Sequence, residues 1–226
     1  MTIPNINIFN TVDIWYSIFD IESDYFNSYL GLIKSTIDSK TAELDKEYKT
    51  FEESKKKGEI EQEALYRHGD WLADEAYEIN QLEQLLYSSF VVSTFMFMEK
   101  SLYQFCDFIF RAENEDFGFR DLKGNGISRA LFYLSKKIDN QFPKDDKLKI
   151  DLNISQKIRN IIAHNDGLVN EILKKELIKS IQQGLPIKIN KQHNQIELTY
   201  EYALWLIELN KRVGEEIIKH WKVKNS

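Results

Sequence analysis

Apolar residues recur three and four positions apart through most of the chain, and that spacing predicts one helix after another. From Val12 to Ile37 the stripe is Ile14, Ile18, Ile21, Tyr25, Tyr29, Ile33 and Ile37, marking one face of a first helix. Residues Lys40 to Lys57 are nearly all charged, with Leu44, Tyr48 and Phe51 keeping a thin stripe. A solvated helix supported by Glu/Lys pairs four apart suits that pattern. Gly58, after three lysines, predicts a break. The helical pattern resumes from about Glu61 to Ala112, with an interruption expected near Gly69. Its second half (Leu85, Leu86, Phe90, Val91, Phe95, Met98, Leu102, Phe105, Cys106, Ile109) is apolar around most of its girth, as in the central helix of a bundle. Glu99 is embedded in that surface, and a buried carboxylate needs a partner.

The stretch from Phe117 to Gly126 reads as a glycine-bearing loop, and further helices are expected over about 128–140, 146–164, 169–183 and 200–221. Gly167 is placed as the left-handed residue that closes the helix ending at His164. Leu185–Asn190 and Gln195–Thr199 alternate like two short strands joined by a turn. The predicted fold class is therefore all-α: an antiparallel helical bundle with a small β-hairpin near the C-terminus. One domain over residues 1–226 is expected, with residues 40–80 as a protruding acidic helical segment.

Composition agrees with a packed core, since 226 residues include 14 Phe, 11 Tyr and 4 Trp but only 3 Pro and 9 Gly. One cysteine, Cys106, leaves no intramolecular disulfide and no multi-cysteine metal site. The first thirty residues lack a basic region followed by an apolar run, and the apolar stretch Phe90–Met98 is too short to span a bilayer. A soluble protein of a reducing cytoplasm, without a membrane partner, is the expectation. Net charge is −6 but unevenly placed: residues 1–119 carry 10 Lys+Arg against 23 Asp+Glu, whereas residues 120–165 carry 10 against 5. The asymmetry fits either two lobes that attract each other or a basic surface for a polyanion.

The helix from Leu148 to His164 carries the candidate chemistry. At 100° per residue, Ile154, Ile158, Ile161 and Ile162 form its core face, while Arg159, Asn160, Ala163 and His164 share the other side. RNA can be cleaved without metal if a base removes the 2′-hydroxyl proton and a cation holds the charge that builds on the phosphoryl oxygens. Histidine exchanges protons near neutrality, and arginine presents a planar fork that fits phosphate oxygens. In that scheme His164 moves the proton, Arg159 holds the phosphate, and Asn160 orients one or the other.

Arg159-Asn160-Ile-Ile-Ala-His164 resembles the motif of the HEPN superfamily, which is Arg, a polar residue, three more residues and then His. Ser88–Glu99 is similar to the long central helix of one bacterial branch, the RiboL-PSP-like HEPN proteins, and Asp121–Leu134 to its glycine loop and following helix. The resemblance covers residues 85–170 and is vaguer elsewhere. It implies a helical homodimer with a composite site across the twofold. It also implies a metal-independent endoribonuclease that leaves a 2′,3′-cyclic phosphate, without a cofactor, in toxin–antitoxin or anti-phage defence. A protein antitoxin or defence partner would go with that setting. Some members have lost catalysis and serve as dimeric interaction scaffolds, which is the alternative reading here. As a scaffold the chain would dock a partner through the acidic Lys40–Ala76 segment, with Arg159 structural. A structural Arg159 would pair with Glu99 while His164 caps the helix end, and the same Glu99 would also hold a catalytic Arg159 in its working pose.

Other residues offer less. Lys123, Arg129, Lys136 and Lys157 are candidate RNA contacts beside the motif, although a solvated face explains most of such a set. His220 and Glu216 share a helical face, but two ligands make no metal site, and none is expected. His193 falls in the hairpin turn, His68 reads as a surface histidine, and Cys106 as a buried small hydrophobe rather than a nucleophile. Gly124-Asn-Gly126 lacks the Gly-Lys-Ser/Thr of a phosphate loop.

Overall fold

The computed structural model describes residues 8–58, 61–113, 117–124, 126–138 and 142–224, with side chains from residue 13 onward. Its elements are α1 (Ile8–Lys57), α2 (Gln62–Ala112), α3 (Gly126–Lys137), α4 (Asp146–Asn165), α5 (Glu171–Gln182), β1 (Lys188–Asn190), β2 (Gln195–Glu197) and α6 (Tyr200–Lys224). A 3-10 turn at Phe119–Asp121 precedes α3. The architecture is the expected all-α bundle with one small antiparallel hairpin, Ile189 opposite Ile196. The expected loop at Asn125 and the end of the helix expected over 128–140 lie partly outside the described residues.

The second half of α2 is the axis of the bundle, as its all-round apolar surface requires. Phe90, Val91, Met98, Phe105, Cys106 and Ile109 have no exposed surface, and α1, α3, α4 and α6 all pack on this helix. Aromatic rings knit α1 to it: Phe26 meets Phe90 edge-on at 5.9 Å, and Phe19 stacks on Phe97 at 5.3 Å. The hairpin is tied to α2 by Gln84. Its Nε2 donates to the Leu198 carbonyl (3.1 Å) and its Oε1 accepts from the Leu198 N–H (2.8 Å).

Where α1 crosses α6, the helices approach so closely that a Cβ on Gly214 would lie 2.8 Å from the Phe19 ring. A glycine inside a helix lowers its stability relative to alanine, so this one is explained by the contact it permits.

Several expectations change. The Ile14, Ile18, Ile21 and Tyr25 positions are not the buried face of α1: they are 50–68% exposed, whereas Phe19, Leu30, Ile33 and Ile37 are buried. Both sets have helical spacing, and the ring contacts of Phe19 and Phe26 decide which faces the bundle. Helix α1 runs to Lys57 and ends at Gly58 (φ 67°), as expected, but Gly69 does not interrupt α2, where it sits against the Phe51 ring. Leu85 and Leu204 are exposed. His68 is not a free surface histidine; its ring stacks on Phe51 at 4.9 Å and meets Trp71 edge-on at 5.4 Å.

Replacing Gly214 with alanine should push Phe19 off its seat and cost about 1–3 kcal/mol, the usual penalty for overpacking. Thermal unfolding of Gly214→Ala checks this; an unchanged midpoint would mean that α1 and α6 do not meet so closely.

Candidate functional site

Helix α4 is held at both ends. At the start the Asp145 carboxylate accepts from the N–H groups of Lys147 (2.8 Å) and Leu148 (3.2 Å). The Leu148 N–H is the largest cause that holds this carboxyl below its usual range, ahead of the Arg212 side chain. At the far end Asp166 (φ 49°) and Gly167 (φ 80°) both take left-handed conformations, so the turn expected of the glycine alone is shared by two residues. The Gly167 N–H closes the end on the Ile161 carbonyl at 3.3 Å.

Between those ends the helix is divided as its periodicity predicts. Leu148, Leu152, Ile154, Ile158 and Ile161 are buried, and Ile162 is half-buried. Asp151 is buried on the same face but is bonded to Arg212 (2.8 Å), which removes the penalty of an unpaired charge. On the opposite face Arg159 is half-buried, and Asn160, Ala163 and His164 are exposed.

That polar face forms one wall of a cavity of about 460 Å³. Phe95 and Glu99 of α2, Gly126 and Ile127 of α3, and Gln156, Arg159, Asn160 and His164 of α4 line it. All four residues singled out for the site in the sequence therefore meet in one opening. Gly126 has φ 62°, the left-handed conformation that favours glycine, and packs beside the Glu99 carboxylate, where a Cβ would make an ordinary 3.7 Å contact. Gln156 escaped the sequence reading, although it stands three residues before Arg159 and four before Asn160 on the same face. It accepts from the Ser128 hydroxyl at 3.3 Å, which links α4 to α3.

The charged groups of the cavity are not consumed by one another. Arg159 and Glu99 form no ion pair, and the partner expected for Glu99 is absent among the described residues. The Arg159 Nη1 donates to Asn160 Oδ1 (3.1 Å), while its Nε is buried with no acceptor among the described residues. An arginine carries five N–H donors in a fixed fork; with Nε buried and one Nη1 donor bonded to Asn160, the remaining Nη N–H groups are the ones left for an anion entering the cavity. The sequence assigns Asn160 to the imidazole or the phosphate; in the structure it bonds the arginine instead.

The four candidate RNA contacts differ in availability. Lys123 and Lys136 are exposed, with no carboxylate partner among the described residues. Lys157 is paired with Glu176 at 2.6 Å. The Arg129 guanidinium lies 5.4 Å and 5.5 Å from the centres of the Tyr103 and Phe119 rings, bonds the Tyr103 hydroxyl at 3.2 Å, and meets no carboxylate among the described residues.

The remaining titratable candidates are structural. His220 Nε2 lies 2.9 Å from Glu216 Oε1, which also accepts from the Lys144 N–H and so fastens the loop before α4 to α6. Among the described residues no group of three or more His, Cys, Asp or Glu is placed to hold a metal ion. Cys106 is fully buried, and burial first, then Asp107, pushes its thiol far above the ordinary range. No helix of the described residues is long and apolar enough to cross a membrane. Comparisons of the chain with protein-family models, curated proteins and solved structures gave no match.

Because Arg159 and His164 bear no ion pair among the described residues, Arg159→Ala and His164→Ala should each shift stability by less than about 1 kcal/mol. Denaturant unfolding of the two variants measures this, and a large loss for Arg159→Ala would restore a structural role. Cys106 should resist alkylation at pH 8 until the protein is unfolded, since its thiol is buried and uncharged.

Proposed function

We propose that the chain is a homodimeric endoribonuclease of HEPN type that cleaves RNA without a metal ion. The observation that carries this reading is the cavity on α4, where a guanidinium fork and an imidazole sit together with no carboxylate among the described residues bonded to either. The resemblance of residues 85–170 to HEPN proteins gives independent support from the sequence.

The chemistry follows from the groups present. A phosphodiester entering the cavity meets the open N–H groups of Arg159, held in place by Asn160. His164, neutral, takes the proton of the 2′-hydroxyl. The 2′-oxygen attacks the adjacent phosphorus, the bond to the 5′-oxygen breaks, and the imidazolium returns its proton to that leaving oxygen. The products are a 2′,3′-cyclic phosphate and a free 5′-hydroxyl, with no net gain or loss of protons. Arg159 acts where charge accumulates, on the phosphoryl oxygens, and so stabilises the transition state more than the ground state. Glu99 lines the cavity but does not bond Arg159, so the support expected of it for the working pose of Arg159 is not a direct contact. Lys123, Lys136 and Arg129 extend the positive surface along which RNA would lie, whereas at Lys157 a phosphate must displace Glu176.

A role in toxin–antitoxin or anti-phage defence, in the cytoplasm and with a protein antitoxin or defence partner, accords with the same resemblance. The scaffold alternative, in which the acidic Lys40–Ala76 segment docks a partner, remains the second reading.

Bulk RNA incubated with the protein in EDTA should be cut to fragments ending in 2′,3′-cyclic phosphate. His164→Ala should lower the rate by at least about 100-fold, the typical contribution of a positioned acid–base group. An oligonucleotide lacking 2′-hydroxyls should be inert. Equal cleavage by wild type and His164→Ala, or none by wild type, would falsify the nuclease reading.

A further inference from the structure

Helix α1 carries two apolar faces, and only one is used inside the chain. The unused one is Ile14, Ile18, Ile21, Tyr25 and Leu32, each at least half exposed. With Ser28 these positions follow a strict 4-3-4-3-4 spacing, the repeat that lets one helix pack along another through knobs and holes. Scattered surface apolar residues need no explanation, but a continuous stripe does. A parallel stripe runs on α2: Leu85, Ser89, Val92 and Met96 repeat at 4-3-4, with Leu85 66% and Met96 63% exposed.

The two stripes lie on the same side of the α1–α2 pair. Glu22 stands four residues after Ile18, Lys100 four residues after Met96, and these two charges meet across the helix seam at 3.7 Å. The seam is thus flanked on both sides by exposed apolar rows and crossed by one ion pair.

We infer that this face docks against the same face of a second copy, forming a four-helix layer of α1, α2 and their counterparts. Three features select that occupant. Heptad spacing asks for helices, which a second copy supplies. Seven large apolar side chains, each exposing on the order of 100 Å², offer roughly 700 Å² per copy, close to the ~800 Å² a partner contributes to a standard interface. The charges are self-complementary: a twofold axis through the seam brings each Glu22 toward the other copy's Lys100. The far edge of the α1 stripe carries Asp13, Asp20 and Asp24, but α6 neutralises them through Lys222 and Lys211, so no uncompensated row of like charge calls for an oppositely charged partner. The α2 stripe continues at the same spacing to Glu99 on the cavity rim, so the second copy reaches the edge of the site. The inference deepens the dimeric part of the reading above and does not depend on RNA cleavage.

Sedimentation of the full chain without RNA tests it. Wild type and His164→Ala should both be dimers, and the double variant Ile18→Glu/Ile21→Glu should be a monomer with unchanged helical circular dichroism. Lys100→Glu and Glu22→Lys should each weaken self-association by about tenfold or more, and an equimolar mixture of the two should recover it as a heterodimer. A monomeric wild type, which a foreign partner on this face would give, overturns the inference. So does a dimer that survives the double stripe variant, or a mixture that gains nothing. Loss of nuclease activity with the dimer intact would count only against the catalytic reading.

Discussion

Helix α4 can bury only one of its faces, and the site depends on which one. Its row of leucine and isoleucine side chains closes against α2 and α6, and that burial fixes the rotation of the helix about its axis. Once rotation is fixed, Arg159, Asn160 and His164 have no freedom to turn inward. The Asp145 cap and the left-handed pair Asp166–Gly167 fix its ends, so the outward groups are held in register with Glu99 on α2. A slip of one residue along the helix would carry Arg159 about 100° away from the cavity.

The electrostatic state of the cavity follows from the same packing. Asp151 and Arg212 show how this fold treats charges that it buries: it pairs them. Arg159 is treated differently, with one bond to a neutral amide and no carboxylate. Leaving a guanidinium unneutralised at a partly buried position is unfavourable unless an anion arrives to accept its bonds. The un-neutralised state is what suits the group to a phosphate. The apolar rows of α1 and α2 present a similar incompleteness at larger scale, surface shaped for helices that no other helix among the described residues covers.

Much of this was legible in the sequence, for reasons that differ by element. The divided face of α4 stood out because its isoleucines recur at helical spacing and its polar residues fill the gaps. The central position of α2 followed from an apolar girth that no surface helix can sustain. Helix α1 misled because two apolar stripes share it. Periodicity reports that a face is apolar without saying what covers it, and here the rings of Trp15, Phe19 and Phe26, not Ile14, Ile18 and Ile21, enter the bundle. Gln156 lay at readable spacing but has no distinctive chemistry by itself. The missing Arg159–Glu99 pair could not be foreseen, because it depends on a few ångströms of separation between two helices that are far apart in sequence.

A structure with a short RNA whose 2′-oxygens are methylated would test the account most directly, since such a strand can bind but cannot react. The account predicts a phosphate in the α4 cavity, with Arg159 N–H groups donating to its oxygens and the His164 ring beside the blocked 2′-oxygen. A strand seated on another face, or an Arg159 that has turned to pair with Glu99 while the cavity holds no phosphate, would contradict it.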